Sequence, residues 1–148
     1  MRIISAVLAM LLLSCGCSSF DQQWNALAAQ PAPSREIEGR WRGTWVSDAS
    51  GHSGALLAAI RKTAENQYLA AFNATYAGVF HFSYDLPLVA QRRDGVTYFH
   101  GEADLGLLAG GVYRYDGHAT DTDFLCTYTS KYDYGDFVLR RVGSPSEK

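Results

Sequence analysis

Two runs flanking Arg93-Asp-Gly95 decide the fold: Val79-Phe-His-Phe-Ser-Tyr-Asp-Leu-Pro-Leu-Val89 before it and Val96-Thr-Tyr-Phe-His-Gly-Glu-Ala-Asp-Leu105 after it. In the first, Phe80, Phe82 and Tyr84 alternate with His81, Ser83 and Asp85. In the second, Phe99 and Ala103 share a parity against His100, Glu102 and Asp104. A period of two is the pleat of a strand with one buried face. Asp94-Gly95 supplies the positive-φ pair that a tight hairpin turn needs. Together they predict an antiparallel hairpin.

The same pattern extends outward in both directions. Eight strands are predicted, over approximately Arg40–Ser47, Ala55–Lys62, Tyr68–Tyr76, Val79–Val89, Val96–Leu105, Val112–Thr120, Phe124–Lys131 and Phe137–Val142. Short polar or glycine-rich connections, such as Glu65-Asn66, Asp121-Thr-Asp123 and Asp133-Tyr-Gly135, separate them. Pro87 cannot donate to a ladder, so the fourth strand is expected to bend, bulge or lie at an edge near Leu86–Leu88. No ten-residue helical period interrupts residues 39–143, which excludes a parallel βαβ design and leaves an antiparallel meander. Eight meandering strands remove their edges by closing into an up-and-down barrel, whose interior suits side chains or one small ligand. The expected inner face carries Trp41, Trp45, Tyr68, Phe72 and Tyr76, then Phe80, Phe82 and Tyr84. Farther along it carries Phe99, Tyr113, Tyr115, Phe124, Tyr128, Phe137 and Leu139, with Gly43, Gly101 and Gly117 as small neighbours.

The N-terminal segment reads as an address. Arg2 precedes an apolar run, Ile3–Leu13, in the order of a secretory signal peptide, and about eleven residues are too few to span a ~30 Å hydrocarbon core. Leu12-Leu13-Ser14-Cys15 resembles the lipobox of bacterial lipoproteins. That resemblance implies cleavage after residue 14 and acylation of Cys15, with Cys17 as the alternative acceptor. It implies membrane attachment through the lipid anchor in the bacterial cell envelope. No Asp follows either Cys, and under the family's sorting rule this points to the periplasmic face of the outer membrane. Residues 15–38 are then a lipidated tether. Phe20–Gln30 could form a short helix with Asp21 as N-cap and with Phe20, Trp24 and Leu27 on one face. Pro31-Ala-Pro33 would end it, and residues 144–148 are expected to be a disordered tail.

Gly39-Arg-Trp41, repeated as Gly43-Thr-Trp45, resembles the opening of the calycin barrels, the lipocalins and avidins. In lipocalins a basic residue of the last strand packs over the first-strand Trp. The resemblance implies that role for Arg141, which shares a face with Phe137 and Leu139, and makes Trp41, Trp45 and Arg141 structural. Ile37-Glu-Gly-Arg-Trp41, Gln67-Tyr-Leu-Ala-Ala-Phe72 and Asp133-Tyr-Gly-Asp-Phe137 are similar to avidin segments. The chain has no Trp beyond position 45 to build the biotin-enclosing walls of avidins, which argues against biotin. There is also a general likeness to bacterial lipoproteins that open Gly-x-Trp-x-Gly-x-Trp, whose membership supplies no activity.

Composition narrows the function. The net charge is −2; removing Arg2 with the signal leaves 12 basic and 15 acidic residues, a net −3. With no basic patch to track phosphates, no nucleic acid partner is expected. Only Cys126 stands outside the lipobox, so no disulfide framework exists; it reads as a small buried hydrophobe, unless Cys17 pairs with it. The four His lack ligand spacing, and no metal or cofactor is assigned. His100, Glu102 and Asp104 face Arg114, Asp116 and His118 if the fifth and sixth strands turn around Leu108. This set could do acid–base or metal chemistry, but opposite charges at facing positions already explain it as a solvated outer face. No catalytic residue is assigned, and a hydrolase is the least favoured reading. The expected function is binding of a small apolar, aromatic or carbohydrate ligand in an aromatic cup of several hundred Å³ lined by Tyr68, Phe82, Tyr113 and Tyr128. The alternative is a solid-cored envelope lipoprotein that is structural, or that binds and inhibits an envelope enzyme; its protein partner is unknown.

Overall fold

Eight alternating runs in a row have few ways to bury one face each, and closure on themselves is the one realised. The structure, a computed structural model, describes residues 19–31 and 36–143. The strands are β1 Gly39–Ser47, β2 Ser53–Ala64, β3 Gln67–Tyr76, β4 Phe80–Arg93, β5 Val96–Asp104, β6 Val112–Ala119, β7 Asp123–Thr129 and β8 Tyr134–Arg141. Each pairs antiparallel with the next, and β8 returns to β1, giving a closed up-and-down barrel. The strand count, order and all-β class agree with the sequence reading. Several boundaries move by two to four residues: β4 runs on to Arg93, β7 stops at Thr129 and β8 begins at Tyr134. Ala90–Arg93 is drawn into β4 because β5 offers it partners as far as Val96.

Pro87 lies at a local edge. β4 pairs with β3 from Phe80 to Val89, including Leu69 with Pro87, but with β5 only from Leu88 to Arg93. Proline's missing N–H costs nothing on the side where β5 has already diverged. Gly101 makes the divergence point possible, because a Cβ there would lie 2.4 Å from the Pro87 carbonyl oxygen. Above this point the Phe80–Pro87 arm flares away from β5. That arm shapes one end of the barrel.

The interior is one continuous core that includes Trp41, Phe72, Tyr115, Phe124 and Leu139. It is closed at the end where β1 begins and β8 ends. There Ile37 is fully buried, and the Trp41 indole Nε1 donates to the Ile37 carbonyl at 2.9 Å. The Arg141 guanidinium lies 4.2 Å from the centre of the Trp41 ring. It donates to the carbonyls of Asp121, Glu38 and Glu36. Burial lowers the Arg141 pKa from its usual value, yet the three carbonyls and the ring face compensate the buried cation.

The segment before the barrel forms helix α1, Ser19–Ala28, which lies on the outer wall. Phe20 packs on Ala59 and Ala71, with Trp24, Leu27 and Leu57 around them. Arg40 caps the Trp24 ring at 5.1 Å. Asp21 is not the N-cap: the helix already includes Ser19, so Asp21 occupies the first turn, where its charge still suits the helix N-terminus. The signal stretch 1–14, Cys15, Cys17, the centre of the Pro31–Pro33 spacer and the 144–148 tail lie outside the described residues. Cys126 is buried and carries a free thiol, which burial pushes well above its ordinary pKa.

Candidate functional site

The end opposite the Trp41–Arg141 plug is where β1, β3, β5 and β7 finish. Here the core does not fill the barrel. A cavity of about 230 Å³ opens between the flared arm of β4 and the neighbouring strands. Trp45 of β1, Tyr76 of β3 and Phe82 and Tyr84 of β4 form one wall. Tyr113 and Tyr115 of β6, Tyr128 of β7 and Phe137 of β8 form the other. Ala74, Leu105 and Ala109 complete the apolar lining, and Asp133 is its only charged residue.

The rings are in mutual contact. Centroids of Phe82 and Tyr84 lie 5.6 Å apart, Tyr84 and Tyr115 6.2 Å, Tyr113 and Tyr128 6.0 Å, and Tyr128 and Phe137 5.2 Å. The Tyr115 hydroxyl donates to that of Tyr84 at 3.1 Å. Burial, ahead of any neighbouring charge, raises the pKa of both phenols. Tyr128 is raised for the same reason and then by the charge of Asp133. All three are neutral hydroxyls over the physiological range, able to donate and accept.

Asp133 is fixed by its own turn and by residues far away in sequence. Its N–H donates to Ser130 Oγ at 3.0 Å. Buried Ser47 donates from Oγ to Asp133 Oδ1 at 2.6 Å, and Ser50 Oγ donates in turn to Ser47 Oγ at 2.9 Å. The Tyr128 hydroxyl is 3.4 Å from Oδ2. Neutral donors thus orient the carboxylate without cancelling its charge. None of the ion pairs among the described residues involves it.

Of the four residues expected to line a cup, Phe82, Tyr113 and Tyr128 meet at this cavity. Tyr68 does not: it lies toward the plugged end, its hydroxyl 3.3 Å from Glu36 Oε2. Opposite hairpin ends separate it from the others, although it shares their inward face. Asp133 was legible only as a turn residue. The one signal for it is the Ser130-x-x-Asp133 spacing, which marks a turn and not the direction of the side chain.

The β5–β6 polar set has the expected register, with His100 facing Asp116 and Glu102 facing Arg114. Arg114 Nε lies 3.0 Å from Glu102 Oε2, with both side chains more than half exposed. Asp104 accepts from the Gly106 N–H at 2.9 Å, a turn contact. His118 lies beside Tyr98 on the outer face. An outer depression of about 520 Å³ borders His100, Glu102 and Arg114 where β4 parts from β5, and buried Tyr68 and Tyr115 also contribute to its floor. Among the described residues, no group of three or more His, Cys, Asp or Glu could hold a metal ion.

No protein family, curated protein or solved structure matches the chain. The eight-stranded antiparallel barrel is compatible with a calycin-like fold, and any reading of function rests on the cavity itself.

Proposed function

We propose that this chain is a lipid-anchored protein of the bacterial cell envelope whose barrel binds a small apolar or aromatic ligand, or the apolar face of a sugar, at its open end. The observation that carries the binding reading is the cavity: eight aromatic side chains and one oriented carboxylate around about 230 Å³. The cavity opens to solvent at the mouth and is smaller than the several hundred Å³ expected, so it suits a ligand of one or two rings, or a short branched chain, that is held on one side and solvated on the other. The lipobox at Leu12–Cys15 supports the anchor, on Cys15 in preference to Cys17, and an outer-membrane address. α1 begins four residues after Cys15, a reach of at most ~14 Å, which would hold the barrel wall close to the bilayer.

The test is native mass spectrometry of the full chain after mild purification, beside an Ala74→Trp variant that fills the cavity. A small-molecule adduct on the wild type and none on the variant is expected. An unliganded wild type whose melting temperature no small-molecule panel raises overturns the binding reading. Incorporation of an alkyne palmitate analogue should be lost in Cys15→Ser; labelling that persists there and disappears in Cys17→Ser moves the anchor to Cys17.

One observation favours the second reading, a protein partner. Two connections at the mouth expose apolar residues, Val79 and Phe80 after β3 and Leu107 and Leu108 after β5, the last two completely, and exposed apolar surface is what a protein partner would cover. A photo-cross-linker at Leu108 that captures one discrete protein in cells would support it, and adducts to lipid alone would sink it.

A further inference from the structure

We infer that the ligand of the mouth cavity is a small organic cation, an alkylammonium group seated among the Tyr and Trp rings with its charge toward Asp133. This rests on the reading that the cavity binds a ligand, and adds the ligand's charge class. The lining holds aromatic rings, three aliphatic residues and a carboxylate, with no Lys, Arg or His. Aromatic faces attract a cation through the ring quadrupole, Trp and Tyr most strongly, and the attraction grows where water is excluded. A carboxylate at one side of such a box adds a full opposite charge. An anionic ligand would meet that charge with no basic group to offset it.

The basic groups at this end do not supply one. His52, His81 and Lys131 are exposed and none lines the cavity. Lys131 Nζ lies 5.0 Å above the exposed Tyr132 ring, and His52 packs edge-on to Tyr76 at 5.2 Å between centroids. Among the described residues, the partners of the Asp133 carboxylate are the hydroxyls of Ser47 and Tyr128, the latter shared with the Val46 carbonyl at 3.3 Å. They use two of roughly four acceptor sites, which leaves capacity for a ligand. The short Ser47 contact shows that the charge also strengthens the 130–133 turn; placed beside aromatic faces, the same charge is what a cation would use.

The experiment compares three solutes of nearly the same shape on the full chain in lipid nanodiscs: choline, its neutral isostere 3,3-dimethyl-1-butanol, and the anion 3,3-dimethylbutyrate. Binding is read by calorimetry and by Trp fluorescence. Choline should bind at least tenfold more tightly than the alcohol, and the carboxylate should not bind. Asp133→Asn should reduce choline affinity at least tenfold while changing that of the alcohol less than twofold. The wild-type comparison decides the matter even if the variant does not fold. Equal or tighter binding of the alcohol or the carboxylate overturns the cation inference but leaves a binding cavity. Binding of none of the three overturns it as well, and if the natively purified protein also carries no adduct, the cavity-binding reading falls with it.

Discussion

Trp41 shows how much one residue can organise. Its indole N–H is spent on the Ile37 carbonyl, its face carries Arg141, and its edge meets Phe124 at 5.6 Å between centroids. Trp41→Ala would open a large cavity and free a buried guanidinium to lose its ring contact. The expected cost is about 3–5 kcal/mol in urea unfolding. Trp24 is half-buried on the outer wall, so Trp24→Ala should cost no more than about 1–2 kcal/mol. Equal losses would mean that α1 belongs to the folding core. The Glu102–Arg114 pair is the contrasting case: well formed but exposed, it should contribute at most about 1 kcal/mol, so Glu102→Ala should leave the urea midpoint nearly unchanged.

Among the elements, the hairpins were the most legible, because their signals are local. Asp94 and Gly95 adopt φ of 50° and 84°, the left-handed pair that an Asp-Gly turn supplies with little strain. Gly95→Ala places a Cβ in that region and should cost about 1–2 kcal/mol without moving the register; chemical unfolding measures the loss, and no loss would mean the turn can change type freely. Cross-strand facing of His100 with Asp116 followed from counting outward from Leu108. The position of α1 was harder to read. Yet Ala55-Leu-Leu-Ala-Ala-Ile60 in β2 is apolar on both parities, and a strand with two apolar faces is covered on both sides. That run, with Leu69 and Ala71 of β3, is the signal that something docks outside. The register at which β4 leaves β5 had only a partial signal. Pro87 marks an edge, but the length of the flare depends on where β5 can turn past Gly101.

At the scale of the whole molecule, the barrel separates a plugged end from an open one, and the aromatic content serves both. This arrangement sets an alkaline limit. Burial raises Tyr84 and Tyr115 above their ordinary value, whereas in the unfolded chain they ionise near pH 10. The unfolded state therefore releases protons that the folded state keeps. Their contribution is intact below about pH 10 and is lost as the pH rises beyond it. Stability should fall by about 1.4 kcal/mol per pH unit for each phenol held neutral. Melting temperatures from pH 9 to 11.5 should drop steeply, together with delayed appearance of phenolate absorbance. A flat profile over that range would show that these hydroxyls reach solvent in the folded barrel.

The sequence by itself determined the class, the number and order of strands and most of the inward aromatics; Phe80, expected on the inner face, is exposed instead because it lies at the tip of the flared β4 arm, beyond the core. The sequence also pointed to Arg141 as the partner for Trp41, through a family resemblance. The first of these depend on a period of two and on turn chemistry, which act between neighbouring residues. Only the tertiary structure decided that Tyr68 parts from Phe82, Tyr113 and Tyr128, that the helix lies outside, and that a void of about 230 Å³ remains at one end. A void is the small difference between the volume a barrel encloses and the volume its side chains fill, so no local pattern encodes it. The same holds for Asp133, whose partner Ser47 is 86 residues away: a turn residue becomes the charged group of a cavity only once β8 has closed against β1.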